Sequence, residues 1–231
     1  AALHAISYPR GAGGWPRLTL APAVTAPRMA GAEALWIALE ENARPFFAEH
    51  GGAALPGLHR ALIATVDRWW RPLEELPRTL IHHDFNPRNL ALRRTASGPR
   101  LCAYDWELAA EGIPQRDLAE LLVFTVDADT PAAEVEHCVE LHRRELERAS
   151  GRRIDVRQWR AGLAAALGDL LVNRLALYAV IHRFQRQAFL PRVVRTWARL
   201  AAQFPVTAGV GQKGAITPTP RCVSTTIPGP S

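Results

Sequence analysis

Polar side chains that could bind a divalent metal ion or move a proton are concentrated in one short segment of this chain. Asp84, Asn86 and Asn89 share a loop that His82 opens, and Asp105 ends an apolar stretch further along. Carboxylate and amide oxygens suit Mg²⁺ better than zinc or copper. The segment therefore predicts a magnesium site built from oxygen ligands.

Short strands are needed to bring Asp105 back to the loop that holds Asp84. Runs of apolar and β-branched residues predict three of them: Thr79–Ile81, Asn89–Leu92 and Leu101–Tyr104. The turn-forming residues 95–99 join the last two strands into a hairpin. We expect this hairpin to return Asp105 close to Asp84, because its two ends must lie side by side.

Phosphoryl transfer fits these residues, because it needs a metal ion on the phosphates and a carboxylate near the acceptor hydroxyl. Asp84 is placed to accept the hydroxyl proton, and Asn89 and Asp105 are placed to hold the metal ion. A simpler structural interpretation is an Asx-type turn at a strand end, which Asp and Asn also favour. Asp105 and Asp117, following in order, favour the chemical interpretation.

The rest of the chain is predicted to be helical, which makes the fold mainly α with a small β insert. Apolar spacing of three and four residues gives six helices: Ala32–His50, Pro56–Leu76, Gln115–Val126, Pro131–Ala149, Asp155–Arg183 and Pro191–Gln203. Pro45 is expected to kink or split the first helix. Gly- and Pro-rich composition predicts an irregular segment over 1–30 and a disordered tail over 205–231, leaving one domain over 31–204.

Composition limits the classes of function. The most apolar run, Ala161–Ile181, contains Asp169, Asn173 and Arg174, so no membrane span is predicted and the cytoplasm is the expected location. The net charge is +6, but acids alternate with the arginines of the most basic stretch and no aromatic residues are interleaved with them. A solvated helical face is therefore predicted there, and no nucleic-acid partner.

Several cysteine and aromatic residues have a structural and a functional interpretation. Three dispersed cysteines give no disulfide framework or zinc motif, and Cys102 is predicted to be a small core residue. Cys138 and His142 share a helix face but lack a third metal ligand, so packing or surface roles are predicted. Three tryptophans could line a pocket for a cation, but their helical spacing favours the core: Trp36, Trp69 and Trp70.

Three motifs resemble those of aminoglycoside phosphotransferases, choline kinases and their relatives. Residues Leu80–Asn89 resemble the catalytic loop, H-x-D-x-x-P-x-N. Residues Ala103–Glu107 resemble the metal-binding segment, in which an apolar strand ends in Asp-Trp-Glu. Gly112–Pro114, followed by Asp117–Ala119, resembles the next landmark of the family. Together, and in this order, the three motifs are specific.

The resemblance implies an ATP-dependent phosphotransferase that acts on a hydroxyl group of a small molecule. It implies the helical C-terminal lobe of a protein-kinase-like fold, with ATP and Mg²⁺ as co-substrate and cofactor. Asp84 would be the catalytic base, and Asn89 and Asp105 the Mg²⁺ ligands. Asp117 would brace the catalytic loop from a helix N-terminus, and His82 would orient the loop backbone.

The sequence departs from the family pattern in two places. His83 stands where a small residue is usual, and both a position in the acceptor pocket and a position in solvent are open for its side chain. The nucleotide-binding N-terminal lobe, with its phosphate-pairing lysine, has no counterpart here, since the only lysine is Lys213. We expect that lobe in the full-length protein, because Leu3–Ala5 resembles the helix that follows it.

Two other classes of function compete with the kinase interpretation. One is a non-catalytic, kinase-derived module that binds a ligand or partner. The other is a metal-dependent hydrolase that uses four residues: His82, His83, Asp84 and Asp105.

The basic net charge disfavours polycationic aminoglycosides as acceptors, whereas choline-like, sugar, amino-alcohol and macrolide acceptors all stay open.

Overall fold

Helices form most of the chain in a computed structural model that describes residues 1–5, 8, 31–127 and 129–206, without the side chains of residues 71–74. The helices are α1 (Ala2–Ala5), α2 (Glu33–Gly51), α3 (Leu55–Ala64), α4 (Val66–Glu75), α5 (Gln115–Thr125), α6 (Ala132–Ser150), α7 (Val156–Asp169), α8 (Ala176–His182) and α9 (Leu190–Gln203). A π-helical segment, Leu170–Leu175, joins α7 to α8 in one continuous run. The irregular segment and the tail predicted from the sequence lie largely outside the described residues.

One of the predicted helices is divided in the structure, and another is continuous. The helix predicted over Pro56–Leu76 is two helices, α3 and α4, separated at Thr65. The Thr65 hydroxyl donates a 2.7 Å hydrogen bond to the Ala61 carbonyl, which ends α3 there. In contrast, α2 continues through Pro45 without splitting, and the fully buried Phe47 anchors the turn after it.

Within the described residues, four short strands form two antiparallel pairs, and this part of the chain is therefore mainly α with a small β part, as predicted. Strand β1 (Thr79–Ile81) pairs with β4 (Ala110–Gly112), which the sequence did not predict. Strand β2 (Leu90–Thr95) pairs with β3 (Gly98–Ala103) in the predicted hairpin. The Tyr104 backbone N–H donates to the Asn89 carbonyl at 3.1 Å, which extends this pairing by one residue.

The core is built around the run from α7 to α8, against which α2, α4, α5 and α9 pack. By length and mean hydropathy, 1.5 in its most apolar window, Val156–His182 could cross a membrane, but 61% of that window is buried inside the protein. The run is the central helix of the fold. Three tryptophans are buried as predicted: Trp36, Trp69 and Trp70.

The two β hairpin strands project from this core. Leu92 and Leu101 face each other across the hairpin and are 73% and 57% exposed. The prediction that Cys102 is a core residue is wrong, because the neighbouring face of the hairpin is exposed as well. His142 stacks on Trp159, with ring centroids 5.3 Å apart, as its predicted packing role requires.

Candidate active site

The loop between β1 and β2 is shaped by its own side chains. Asn86 accepts a hydrogen bond from the Arg88 backbone N–H at 3.1 Å and so caps the short 3-10 helix Pro87–Asn89. Proline suits the first position of such a turn for two reasons. Its φ is fixed near the helical value, and it has no backbone N–H group that would need a partner. The turn folds Asn89 back onto the start of the loop, where Asp84 lies.

Three side chains hold the Asp84 carboxylate. Asn89 Nδ2 donates to Oδ2 at 2.6 Å, and Asn86 Nδ2 donates to Oδ1 at 3.0 Å. Arg174 Nη1 donates to the same Oδ1 at 2.7 Å. The Asp84 side chain is 18% exposed, so the carboxylate is fixed in direction and still reachable from solvent.

Arg174 was not predicted as a site residue. It lies in the π-helical segment, a feature that often marks functional sites. Its Nη2 donates to the His83 carbonyl at 2.6 Å, and its Nη1 lies 3.9 Å from Glu120 Oε1. Its signal in the sequence is a charged residue inside an otherwise apolar helix, which had served only to argue against a membrane span.

Glu120 is a second acid beside Asp84 and is almost fully buried, at 2% exposure. Its Oε1 lies 3.4 Å from Asn86 Nδ2. Burial raises the pKa of Glu120 to about 7, because the positive charges of Arg174 and Arg116 compensate only part of the lost hydration. The site therefore holds a carboxyl group that exchanges its proton near neutral pH.

Asp117 connects three parts of the molecule at the first turn of α5. Its carboxylate accepts the His82 and His83 backbone N–H groups at 2.8 and 2.9 Å, and His4 Nε2 lies 3.0 Å away. Burial raises the pKa of Asp117, but the bonds from His4, His82 and His83 outweigh burial and hold it below its usual value. His4, in α1, was not recognised from the sequence, where a lone histidine carries no signal.

His82 connects the loop to the segment that precedes Asp105. Its Nε2 lies 2.8 Å from the Tyr104 carbonyl oxygen, at hydrogen-bond distance. Its ring packs 4.5 Å from that of Trp106, whose indole N–H donates to the Ala103 carbonyl. These contacts fix the backbone on both sides of Asp105 relative to the loop.

The His83 side chain turns toward the core of the protein. Arg116 Nη2 lies 2.7 Å from His83 Nε2, and Arg116 also pairs with the buried Asp169. Burial, followed by the charges of Arg116 and Arg174, lowers the pKa of His83 to about 3, so the ring is neutral. The imidazole therefore does not point to solvent, because it accepts a hydrogen bond from a buried guanidinium, and a position in the acceptor pocket stays a prediction.

Asp105 is exposed and lies directly after the hairpin, next to Asn89. His83 and Asp105 both have positive φ, 64° and 63°, a strained conformation for residues other than glycine that is common at functional sites. In the described part of the chain, no three His, Cys, Asp or Glu side chains are grouped as metal ligands. Mg²⁺ commonly needs only one or two carboxylates besides phosphates and water, so the oxygens of Asp105 and Asn89 fit it.

A closed series of side-chain contacts begins and ends at Asp84. From Arg174 it passes to the Tyr178 hydroxyl at 3.4 Å and to the Phe189 ring, whose centroid lies 6.2 Å from that of Tyr178. Phe189 carries the Arg88 guanidinium 4.8 Å above its centroid, and Arg88 Nε donates to Asn86 Oδ1 at 3.2 Å. We call this set the Asp84 ring: Asp84, Asn86, Arg88, Arg174, Tyr178 and Phe189.

Comparison with known proteins gives one match. The model of a phosphotransferase enzyme family, APH, matches residues 1–150, which are more than half of the chain and include the candidate site loop, the hairpin and Asp117. No curated protein and no solved structure is matched.

Proposed function

Since the chain belongs to the phosphotransferase enzyme family, we propose that it transfers the γ-phosphoryl group of ATP to a hydroxyl group of a small molecule. The observation that supports this most is the Asp84 carboxylate, held by Asn86, Asn89 and Arg174 and yet accessible. A carboxylate fixed in this way can receive the proton of an acceptor hydroxyl. The proposal includes the helical lobe of a protein-kinase-like fold as the frame of the site.

The proposed reaction needs only one proton transfer to the protein. The acceptor oxygen loses its proton to Asp84 and bonds to the γ-phosphorus, while the bond from that phosphorus to the β-bridging oxygen breaks and ADP leaves. Bound Mg²⁺, held by Asn89 and Asp105, would neutralise charge on the phosphates. The work of this chain is therefore to orient Asp84, which the bonds from Asn86 and Arg174 do before any substrate arrives.

In this proposal His82 and Asp117 support the loop without touching substrate. Asp117 binds two consecutive backbone N–H groups of the loop, and His82 ties the loop to the segment of Asp105. Positioning of this kind matters in phosphoryl transfer, where misplacement by about 1 Å costs on the order of 100-fold in rate.

The contacts of the two loop histidines favour this function over a metal-dependent hydrolase. His82 Nε2 is engaged with the Tyr104 carbonyl, and His83 Nε2 accepts from Arg116. A zinc-type site would have to use the other ring nitrogen, Nδ1, of each histidine. The turnover measurement described next distinguishes the phosphotransferase from a non-catalytic binding module.

The test is the replacement Asp84→Asn in the full-length protein. ADP release would be measured with ATP, Mg²⁺ and a panel of neutral, cationic and anionic hydroxyl compounds. We expect the variant to lose about 10²- to 10⁴-fold in turnover, because a general base commonly contributes that much. The control is Asp67→Asn, an exposed acid in the first turn of α4, which should retain full turnover.

Two outcomes would contradict the proposal. If Asp84→Asn turned over acceptor as fast as the wild type, Asp84 would not be the base. If the wild-type protein bound Mg²⁺–ATP or an acceptor but transferred no phosphate to any compound of the panel, the non-catalytic module would be the better interpretation.

A further inference from the structure

Arg88 is an exposed arginine fixed within the candidate site loop. Its guanidinium lies 4.8 Å from the Phe189 ring centroid and 5.7 Å from that of Phe124, and its Nε donates to Asn86 Oδ1. Cation–π contacts and one hydrogen bond therefore set the orientation of the charge. The backbone carbonyl of the same residue accepts a hydrogen bond from the Tyr104 hydroxyl, which holds the main chain as well.

The charge of Arg88 is not neutralised by any acid in the described part of the chain. The other two arginines near Asp84 are paired: Arg174 with Asp84 itself and Arg116 with Asp169. Arg88 forms no ion pair there, and its two terminal amino groups donate no hydrogen bond to the described residues. A planar guanidinium with free terminal donors matches a carboxylate or phosphate in geometry and charge.

A single side chain, Asn86, links Arg88 to Asp84. Asn86 alone separates Arg88 from Asp84, since its Oδ1 accepts from Arg88 and its Nδ2 donates to Asp84 Oδ1. The candidate metal ligand Asn89 contacts the other oxygen, Oδ2. An anion on Arg88 would therefore lie one side chain away from Asp84, where the acceptor hydroxyl is proposed to bind.

We propose that Arg88 binds an anionic group of the acceptor, so that the substrate is a hydroxyl compound that also carries a carboxylate or a phosphate. This inference rests on the proposed phosphotransferase function for the word acceptor, but the anion-binding site itself is independent of catalysis. It also disfavours polycationic acceptors, because an unpaired guanidinium in the ring repels them. The free donors, the aromatic support and the link through Asn86 to Asp84 carry the proposal.

The first experiment measures binding at Arg88 itself in the full-length protein. The Arg88 Nε–H signal would be assigned in NMR spectra by its loss in Arg88→Gln, and would then be titrated with three probes of similar size: glycerol, glycerate and glycerol 3-phosphate. We expect both anions to shift this signal and to bind at least about tenfold more tightly than glycerol, the factor that one charge-assisted hydrogen bond gives. Comparing the two anions shows whether carboxylate or phosphate is preferred.

Matched variants separate a specific contact from the effect of net charge. Arg88→Gln should reduce anion affinity to that of glycerol, and Arg88→Lys should recover only part, because an ammonium lacks the planar fork. Arg94→Gln removes the same charge from the exposed hairpin strand and should leave affinity unchanged. Equal losses in Arg88→Gln and Arg94→Gln, or equal binding of glycerol and the anions, would overturn the proposal.

Two further measurements separate this inference from the proposed reaction. Anion binding by a wild-type protein that transfers no phosphoryl group would support the site while contradicting the kinase function. Binding would also be repeated with a non-hydrolysable ATP analogue and Mg²⁺ present. Retained binding supports an acceptor site, whereas competition would assign Arg88 to the nucleotide phosphates and overturn the acceptor assignment.

Discussion

At the scale of single residues, the candidate site is a network of charged side chains. Asp84 shares Arg174 with Glu120, whose carboxylate lies 3.9 Å from the same guanidinium nitrogen. Arg174 therefore lies close to two carboxylates. Its Nη1 is nearer to Asp84 Oδ1, at 2.7 Å. The partners of Arg174 decide how firmly Asp84 is held.

Replacement of Arg174 by methionine tests this network. We expect Arg174→Met to lower the free energy of unfolding by about 1–3 kcal/mol, less than for a fully buried pair, because the two side chains keep 14% and 18% exposure. Urea denaturation measures this. Arg148→Met is the control, since it breaks the exposed pair with Glu145 and should leave the unfolding midpoint unchanged. Equal midpoints for wild type and Arg174→Met would contradict the ion pair.

The protonation of Glu120 predicts a pH dependence of stability. Burial raises its pKa from 4.5 to about 7, so the folded protein binds this proton more tightly than the unfolded chain does. The free energy of unfolding should therefore fall as pH rises from about 4.5 to about 7, by up to about 3 kcal/mol, and then level off. Four charged groups face Glu120 and modify this value: Arg174, Arg116, Asp84 and Asp117.

Glu120→Gln isolates this effect, because glutamine keeps the shape and has no proton to lose. Unfolding would be measured in urea at pH 5, 6, 7 and 8 for both proteins. The difference in free energy of unfolding, Glu120→Gln minus wild type, should increase from pH 5 to pH 8. Parallel pH profiles would show that Glu120 does not titrate in this range.

The sequence predicted Asp84, Asn89 and Asp105 because their identities and spacing form local motifs. It did not predict Glu120 or Arg174, because each reaches the site from a helix distant in sequence and matters only through tertiary contacts. Their common signal is an ionisable residue on an apolar helix face. An ionisable side chain on such a face needs a charged or hydrogen-bonding partner, but the sequence does not identify that partner.

At the scale of elements, Asp117 joins α1, α5 and the loop after β1. Both carboxylate oxygens accept from loop N–H groups, and His4 reaches Oδ2 from α1. Since the residue is 1% exposed, none of these bonds competes with water. The start of α5 thus serves as the fixed point on which the loop is assembled.

Replacement of Asp117 should be far more costly than that of another helix acid. Asp117→Asn puts an amide N–H group against backbone donors and removes a buried charge, so we expect a loss of about 3–5 kcal/mol in free energy of unfolding. Asp67→Asn, in the first turn of α4, removes only a dipole interaction worth at most about 1 kcal/mol. Thermal and urea unfolding of both variants measures the difference, and similar losses would show that Asp117 acts only through the helix dipole.

Predictions of elements succeeded where the pattern is local and failed where the partner is distant. The hairpin of β2 and β3 has its turn residues between its strands, and the structure confirms it. Strand β4, with only three residues, exists because it pairs with β1, which lies about thirty positions earlier along the chain. The π-helical segment has no sequence signature either, although it carries Arg174.

At the scale of the whole molecule, the central run from α7 to α8 combines high hydropathy with polar side chains that pair with one another and with neighbouring elements. Asn173 donates to Asp169 at 2.6 Å and accepts from the Trp36 indole at 2.9 Å. Asp169 also pairs with Arg116, and Arg174 with Asp84. These polar groups connect the core to the candidate site. Three of them, Asp169, Asn173 and Arg174, are the residues from which the sequence predicts no membrane span.

The backbone of His83 has a φ of 64°, and its side chain connects the candidate site to the core. Glycine would adopt this conformation without strain, but it would lose the imidazole that Arg116 contacts. Arg116 is in turn held by Asp169 in the central helix. We therefore expect substitutions at these three positions to change together among homologues of this protein.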